Sequence, residues 1–259
     1  MKSIIRYLRL FGFDAKIFFL SLRGIPYYIK NYIRIKKQIK YSSNDFPLGK
    51  RFPCLGDRFE NAGELPLHYF YQDLLVAQKI FKNIPVKHCD VGSRIDGFIA
   101  HVASFREIEV FDIRKSELKV PNIKFVQADI SSDKFNLSNY CDSISSLHAI
   151  EHFGLGRYGD TIDINGFIKG LKNITKMLQT GGKFYFSVPI GKQRIEFDAH
   201  RIFSIEYLLD FLDNSFGIDS FSYIDDFNNP HYNIPLSTEN TRTNFGSNYG
   251  CGIFELTKR

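Results

Sequence analysis

From Val86 to the C-terminus, short runs rich in β-branched and aromatic residues alternate with stretches of helical periodicity. No other feature constrains the chain as much. A strand that returns through a helix to a neighbouring strand makes a parallel ladder, and such a sheet needs helices on both faces. Strands are expected at 86–91, 108–112, 123–126, 142–147, 183–188, 218–223 and 251–257, and helices at 67–82, 96–104, 165–179 and 204–214. Ser204 is placed to cap the last helix, with Glu206 in its first turn. The polar stretch 225–249 shows no clear helix, which suits an antiparallel, hairpin-like final strand. The fold class expected is α/β: a mostly parallel, seven-stranded, doubly wound sheet with an N-terminal helical extension.

The first strand runs into a turn, His88-Cys-Asp-Val-Gly-Ser-Arg-Ile-Asp-Gly-Phe98. Asp90 ends the strand and Gly92 follows at the second position beyond. A glycine there allows a tight turn and close approach of backbone to a ligand, and the next helix offers free N–H groups to an anion. Asp112 closes the second strand, 22 residues after Asp90. An acid at that spacing is placed to accept hydrogen bonds from ribose hydroxyls. Asp129 closes the third strand and His148 the fourth. The candidate cofactor-binding residues are Asp90, Gly92, Ser93, Arg94, Asp112, Ile113, Asp129, Ile130 and His148.

Asp90-x-Gly92 resembles the first motif of class I S-adenosylmethionine-dependent methyltransferases, Asp-x-Gly-x-Gly-x-Gly. Arg94 and Asp96 stand where the later glycines are usual, and Gly97 falls one place beyond. In that family an acid ending the third strand accepts the adenine amine, and the next backbone N–H meets the ring. Asp129 and Ile130 match these positions. The fourth strand with Glu151-His152, then Gly181-Gly182 before a fifth strand, resembles the small-molecule branch. The resemblance implies a Rossmann-like class I methyltransferase fold, S-adenosylmethionine as cofactor and S-adenosylhomocysteine as product. A nicotinamide enzyme is disfavoured, because no second glycine cluster and no Tyr-x-x-x-Lys pair follow strand four. Leu147-His148-Ala149-Ile150 replaces the Pro-Pro motif with which DNA amine methyltransferases stack a flipped base.

Four stretches narrow the resemblance: "HYFYQDLLVAQKI", "HCDVGSRIDGFIAH", "EHFGLGRYGD" and "VPIGKQRIEFDAHRIFS". Over about residues 50–215 they resemble the DUF268 family. Members of this type look like enzymes of surface-polysaccharide or capsule tailoring. The resemblance therefore implies O-methylation of a sugar, nucleotide-linked sugar or other small acceptor, phosphorylated or not.

Candidate catalytic residues follow strands four and five. A hydroxyl acceptor must lose a proton, and histidine suits that task at neutral pH. His152 and Glu151 come first and His200 second. Arg157, Tyr158 and Arg201 are the substrate-binding candidates, with the two arginines able to grip an anion. His68, Tyr69, Gln72 and Asp73 are candidate lid residues. No spacing of His, Asp and Glu makes a metal site.

The net charge of +6 is concentrated at one end. Residues 1–40 carry ten Lys or Arg against one acid, Asp14, whereas the remainder carries 24 bases against 27 acids. A near-neutral body argues against a nucleic-acid surface. Domains are expected at 1–66, a basic arm and lid broken at Gly24-Ile25-Pro26, and at 67–259, the methyltransferase domain. The arm suits peripheral contact with a membrane, which places the protein in the cytoplasm at the membrane's inner face. Three of the four cysteines fall in strands and read as buried thiols in a reducing compartment. Two rival functions are an inactive scaffold, motivated by Arg94 and Asp96, and an RNA methyltransferase tethered by the arm.

Overall fold

The structure is a computed structural model that describes residues 7–41, 48–59, 67–117 and 119–259. Part of the expected arm and lid, residues 1–6, 42–47 and 60–66, lies outside the described residues. The chain forms two compact units, residues 1–65 and 66–259.

In the first unit a single helix, α1 (Ala15–Tyr41), runs through the expected break. The Asp14 carboxylate caps it, accepting from the backbone N–H groups of Lys16 and Ile17 at 2.8 and 3.2 Å. Pro26 removes one rung of the ladder, and the turns on both sides supply the rest. Gly24 is present for packing: a Cβ there would lie 2.0 Å from the Leu55 carbonyl oxygen. Its missing side chain lets segment 48–59 cross the helix, where Arg58 and Arg51 cover the rings of Tyr27 and Tyr32. Among the described residues no helix is long and apolar enough to cross a membrane.

The second unit opens with α2 (Leu67–Asn83). Strands β1 (His88–Val91), β2 (Ile108–Asp112), β3 (Ile123–Gln127), β4 (Cys141–Leu147) and β5 (Leu178–Ile190) follow, all parallel to one another. A hairpin, β6 (Arg194–Glu196) and β7 (His200–Ile202), stands apart from the main sheet. It is followed by β8 (Phe216–Ile224), β9 (Pro230–His231) and β10 (Gly250–Lys258). The sheet order is β3-β2-β1-β4-β5-β10-β8-β9. It has eight strands where seven were expected, the extra one being the two-residue β9 against β8. The final strand lies between β5 and β8, antiparallel to both.

Between the strands, one wide π turn (Ile95–Ile99) leads into α3 (Ala100–Ala103), and α4 (Gly166–Met177), α5 (Ile205–Asp213) and α6 (Thr238–Arg242) complete the set. Ser204 caps α5, accepting from the Tyr207 N–H at 3.4 Å. The stretch 225–249 is not free of regular structure, since it holds β9 and α6. The expected Gly-Gly turn is a bulge inside β5: Cys141 pairs with Leu178, then Ser143 with Lys183. Gly181 takes the positive φ of +77° that this loop-out needs.

All four residues of β1 are buried, as befits a central parallel strand covered on both faces. Phe184, Phe186, Ile174 and Leu208 fill the layer under α4 and α5, and Val76, Ile80, Phe98 and Val110 fill the layer under α2 and α3. Cys89, Cys141 and Cys251 are buried thiols within these strands. Neighbouring connections leave β1 and β4 in opposite directions, so a crevice opens at their carboxyl ends. Ligands bind there in open α/β sheets.

Candidate active site

The crevice is organised from below by Asp90. Its carboxylate is fully buried and accepts from the Ser93 N–H and hydroxyl at 2.9 and 2.6 Å and from the Ser145 hydroxyl at 2.6 Å. Burial pushes its pKa up to about 6 against these hydrogen bonds. Asp90 and Ser93 therefore order the turn from beneath. The Ser93 hydroxyl accepts in turn from the Leu147 N–H at 3.0 Å, locking β1 to β4. Gly92 sits at φ +74°, and a Cβ there would press to 2.9 Å on the Ala149 methyl group.

The helix turn after β1 is covered by a carboxylate from α2. Asp73 approaches Gly97 so closely that a Cβ would lie 2.5 Å from Oδ2. It accepts from the Gln72 amide at 2.9 Å, and burial raises its pKa to about 6. Arg94 and Asp96 pair with each other at 2.8 Å in an exposed ion pair, and the Arg94 guanidinium also lies over the Tyr69 ring, 5.1 Å from its centroid.

Asp112 and Asp129 lie at the tips of β2 and β3. Arg114 holds Asp112 with two donors, and Asp129 accepts from the N–H and hydroxyl of Ser131 at 2.9 and 2.6 Å. Ile113 follows Asp112 at the rim, and its carbonyl accepts from the Gln127 amide at 3.1 Å. Ile130 is buried, with its carbonyl accepting from the Asn173 amide at 2.8 Å.

Beyond β4 a cluster of histidines surrounds one carboxylate. His148 adopts φ +51°, a costly conformation away from glycine. Its Nδ1 lies 2.9 Å from Glu151, and its ring stacks on His68 of α2 with centroids 4.6 Å apart. Burial pulls the pKa of His148 and of His68 down to about 3 and raises that of Glu151 to about 7. His152 donates Nδ1–H to the Ala199 carbonyl at 2.7 Å, which leaves Nε2 as its lone-pair nitrogen. Nε2 of His152 is 3.8 Å from Glu151, and the His200 ring is 6.1 Å away. Burial lowers the pKa of both His152 and His200, favouring neutral rings. His148 Nε2, Glu151 Oε2 and His200 Nε2 are buried and have no hydrogen-bond partner among the described residues.

Arg201 and Arg157, both expected to grip an anion, take different places. Arg201 is buried and spends its donors on the carbonyls of Glu151, Phe153 and Ile164. In this arrangement it braces the loop after β4. The glycine-rich loop is built around Asp160, whose carboxylate accepts from the N–H groups of Gly154, Gly156 and Tyr158. Arg157 stays exposed at the rim with one donor on the Ala199 carbonyl, and Tyr158 stands edge-on to His152. Tyr249, from the loop before β10, escaped notice in the sequence, yet its ring lies 5.2 Å from His200 and 6.2 Å from His68. No periodicity marks it. Arg114, two residues past Asp112, is the one overlooked residue with a local signal.

Strand order, the antiparallel β10 and the crevice at the carboxyl ends of β1 and β4 define a class I methyltransferase fold. The chain belongs to the DUF268 family, described as "Caenorhabditis protein of unknown function", whose model matches residues 101–244. No curated protein matches the chain in sequence. The 1,6-didemethyltoxoflavin-N1-methyltransferase of Burkholderia thailandensis, crystallised with 1,6-didemethyltoxoflavin and S-adenosylhomocysteine, is similar at 12% identity and TM-score 0.52, over 73% of this chain and 79% of its own. The [4+2]-cyclase SpnF is similar at 14% identity and TM-score 0.51, over 72% and 81%. The N-methyltransferase NodS of Bradyrhizobium japonicum WM9 follows at 12% identity and TM-score 0.49, over 76% and 89%.

Proposed function

We propose that this chain is an S-adenosylmethionine-dependent methyltransferase that acts on a hydroxyl of a small acceptor, a sugar or nucleotide-linked sugar in surface-polysaccharide assembly. SpnF, described as a cyclase, has a similar fold, so the fold alone does not name the chemistry. The observation that carries the proposal is the cluster beside the strand-tip acids, with three buried polar atoms lacking partners among the described residues. Each such atom costs about 1–3 kcal/mol, a cost an acceptor's hydrogen bonds would offset.

The residues fit the cofactor. Asp112 would accept the ribose hydroxyls and Asp129 the adenine amine. Arg114 must leave Asp112, but over half of its side chain is exposed and such pairs are worth about 0–1 kcal/mol. When bound, the cofactor supplies an electrophilic methyl group. Nε2 of His152 then takes the acceptor's hydroxyl proton. The Ala199 carbonyl fixes the tautomer, and Glu151 steadies the imidazolium that forms. His200 orients the acceptor, and Arg157 at the rim meets a phosphate if the acceptor carries one. The scaffold alternative rested on crowding by Arg94 and Asp96, and these side chains pair with each other at the surface.

Calorimetric titration with S-adenosylhomocysteine tests the reading. Binding by the wild type that is lost in Asp112→Ala supports it, and an unbound wild type sinks it. A screen of radiolabelled methyl transfer onto nucleotide sugars then tests the acceptor.

A further inference from the structure

We propose that α1 is an interfacial helix that docks the chain on an anionic bilayer surface. The helix has three distinct sides. One, with Gly24, faces segment 48–59. A second carries Phe18, Leu22, Ile25, Ile29 and Ile33, spaced by three and four residues so that they form one stripe. All five are exposed, Ile29 by 51% and Ile33 by 61%. Beside it runs a third stripe, Lys16, Arg23, Lys30 and Lys37, at seven-residue intervals. Lys36 and Lys40 continue the apolar side at its C-terminal end.

An exposed aliphatic stripe over four turns is unusual on a surface that meets only water. No Asp or Glu occurs anywhere in the helix. An apolar stripe flanked by cations matches the layered chemistry of an anionic membrane: acyl chains below, phosphates at the level of the lysines. RNA would engage the bases but leave the aliphatic stripe uncovered. A second copy of the chain would cover the stripe but bring two basic rows together. The bilayer meets both demands at once. Because α1 cannot span the membrane, it lies in the plane of the interface. Docking through α1 is independent of the chemistry proposed for Asp112, Asp129 and His152.

The test is flotation of the full chain with vesicles of phosphatidylcholine alone or mixed with phosphatidylglycerol. The wild type should float only with the mixed vesicles, and less as salt is raised. Two double variants separate the contributions: Leu22→Ser with Ile29→Ser, and Lys16→Glu with Lys30→Glu. All four side chains are exposed, so the helix should persist, which circular dichroism checks. Each double variant should lower vesicle binding at least tenfold, roughly, given the contribution of each base and each apolar side chain. No flotation at low salt, or flotation unchanged in both variants, overturns the proposal. So does RNA binding without vesicle binding, or a dimer abolished by the serine variant in a protein that does not float.

Discussion

Arg114 places two donors on the Asp112 carboxylate, Nε at 2.9 Å from Oδ1 and Nη2 at 2.6 Å from Oδ2, and stacks on the Tyr158 ring at 4.7 Å. The proposed ribose acceptor is thus held by the chain's own cation. Arg114→Ala should tighten S-adenosylhomocysteine binding by roughly twofold to fivefold, the modest range of a pair whose arginine is mostly exposed. Calorimetry reads it directly, and weaker binding in this variant would show that Arg114 itself contacts the ligand.

Burial pushes the pKa of Glu151 up to about 7 in the folded protein, against an ordinary value of 4.5. Between these values the folded state keeps a proton that the unfolded chain has released, so Glu151 makes stability fall as pH rises through that window. His148 and His68, with pKa values lowered to about 3, act in the opposite sense and make the fold lose stability on acidification. The difference between wild type and Glu151→Gln isolates the carboxyl. The variant should gain on the wild type from pH 4.5 to 7, reaching a few kcal/mol, on the order of 3, by urea unfolding. Parallel curves would place the Glu151 pKa in the ordinary range.

Arg201→Ala should destabilise the second unit by about 2–4 kcal/mol, because three buried carbonyls lose their donor. Thermal unfolding measures this. If the variant keeps wild-type stability but loses acceptor affinity, the structural role assigned to Arg201 fails.

Asp160→Ala should free three backbone N–H groups in a loop whose glycines 154, 156 and 159 all take positive φ. The loop should then cleave faster under limited proteolysis, and methyl transfer should fall through misplacement of Tyr158 and Arg157. Unchanged proteolysis would mean that the glycines alone hold its shape.

A histidine base lowered in pKa by burial keeps its lone pair below the usual histidine range. The acidic limb of the rate profile should therefore fall at a pH under 6.5, and His152→Ala should remove it with at least a hundredfold loss of rate, roughly. An acidic limb that survives the substitution would transfer the role to His200.

Much of the sheet was legible in the chain because a strand covered on both faces is mostly apolar, and an acid towards its carboxyl end marks where it gives way to a turn. Asp90, Asp112 and Asp129 announce three strand tips in this way. The function of each tip was less legible. Asp90 and Asp129 have similar sequence surroundings, yet one is sealed beneath the turn and the other sits at the rim. Arg201 and Arg157 are equally arginine-like in sequence, and only the position of three carbonyls separates them.

What the sequence by itself determined was the period, the turns and the order of elements, since these depend on neighbours within a few residues. The tertiary structure alone decided which side chains meet. His68, His148, His200 and Tyr249 come from four distant segments, and nothing local to any of them encodes the other three. Burial decided their chemistry as well: the pKa values of Glu151 and His148 move because water is excluded by residues far away in the chain. Gly24 shows the same division, since its place in the helix suggested a break, whereas the approach of Leu55 made it a point of contact.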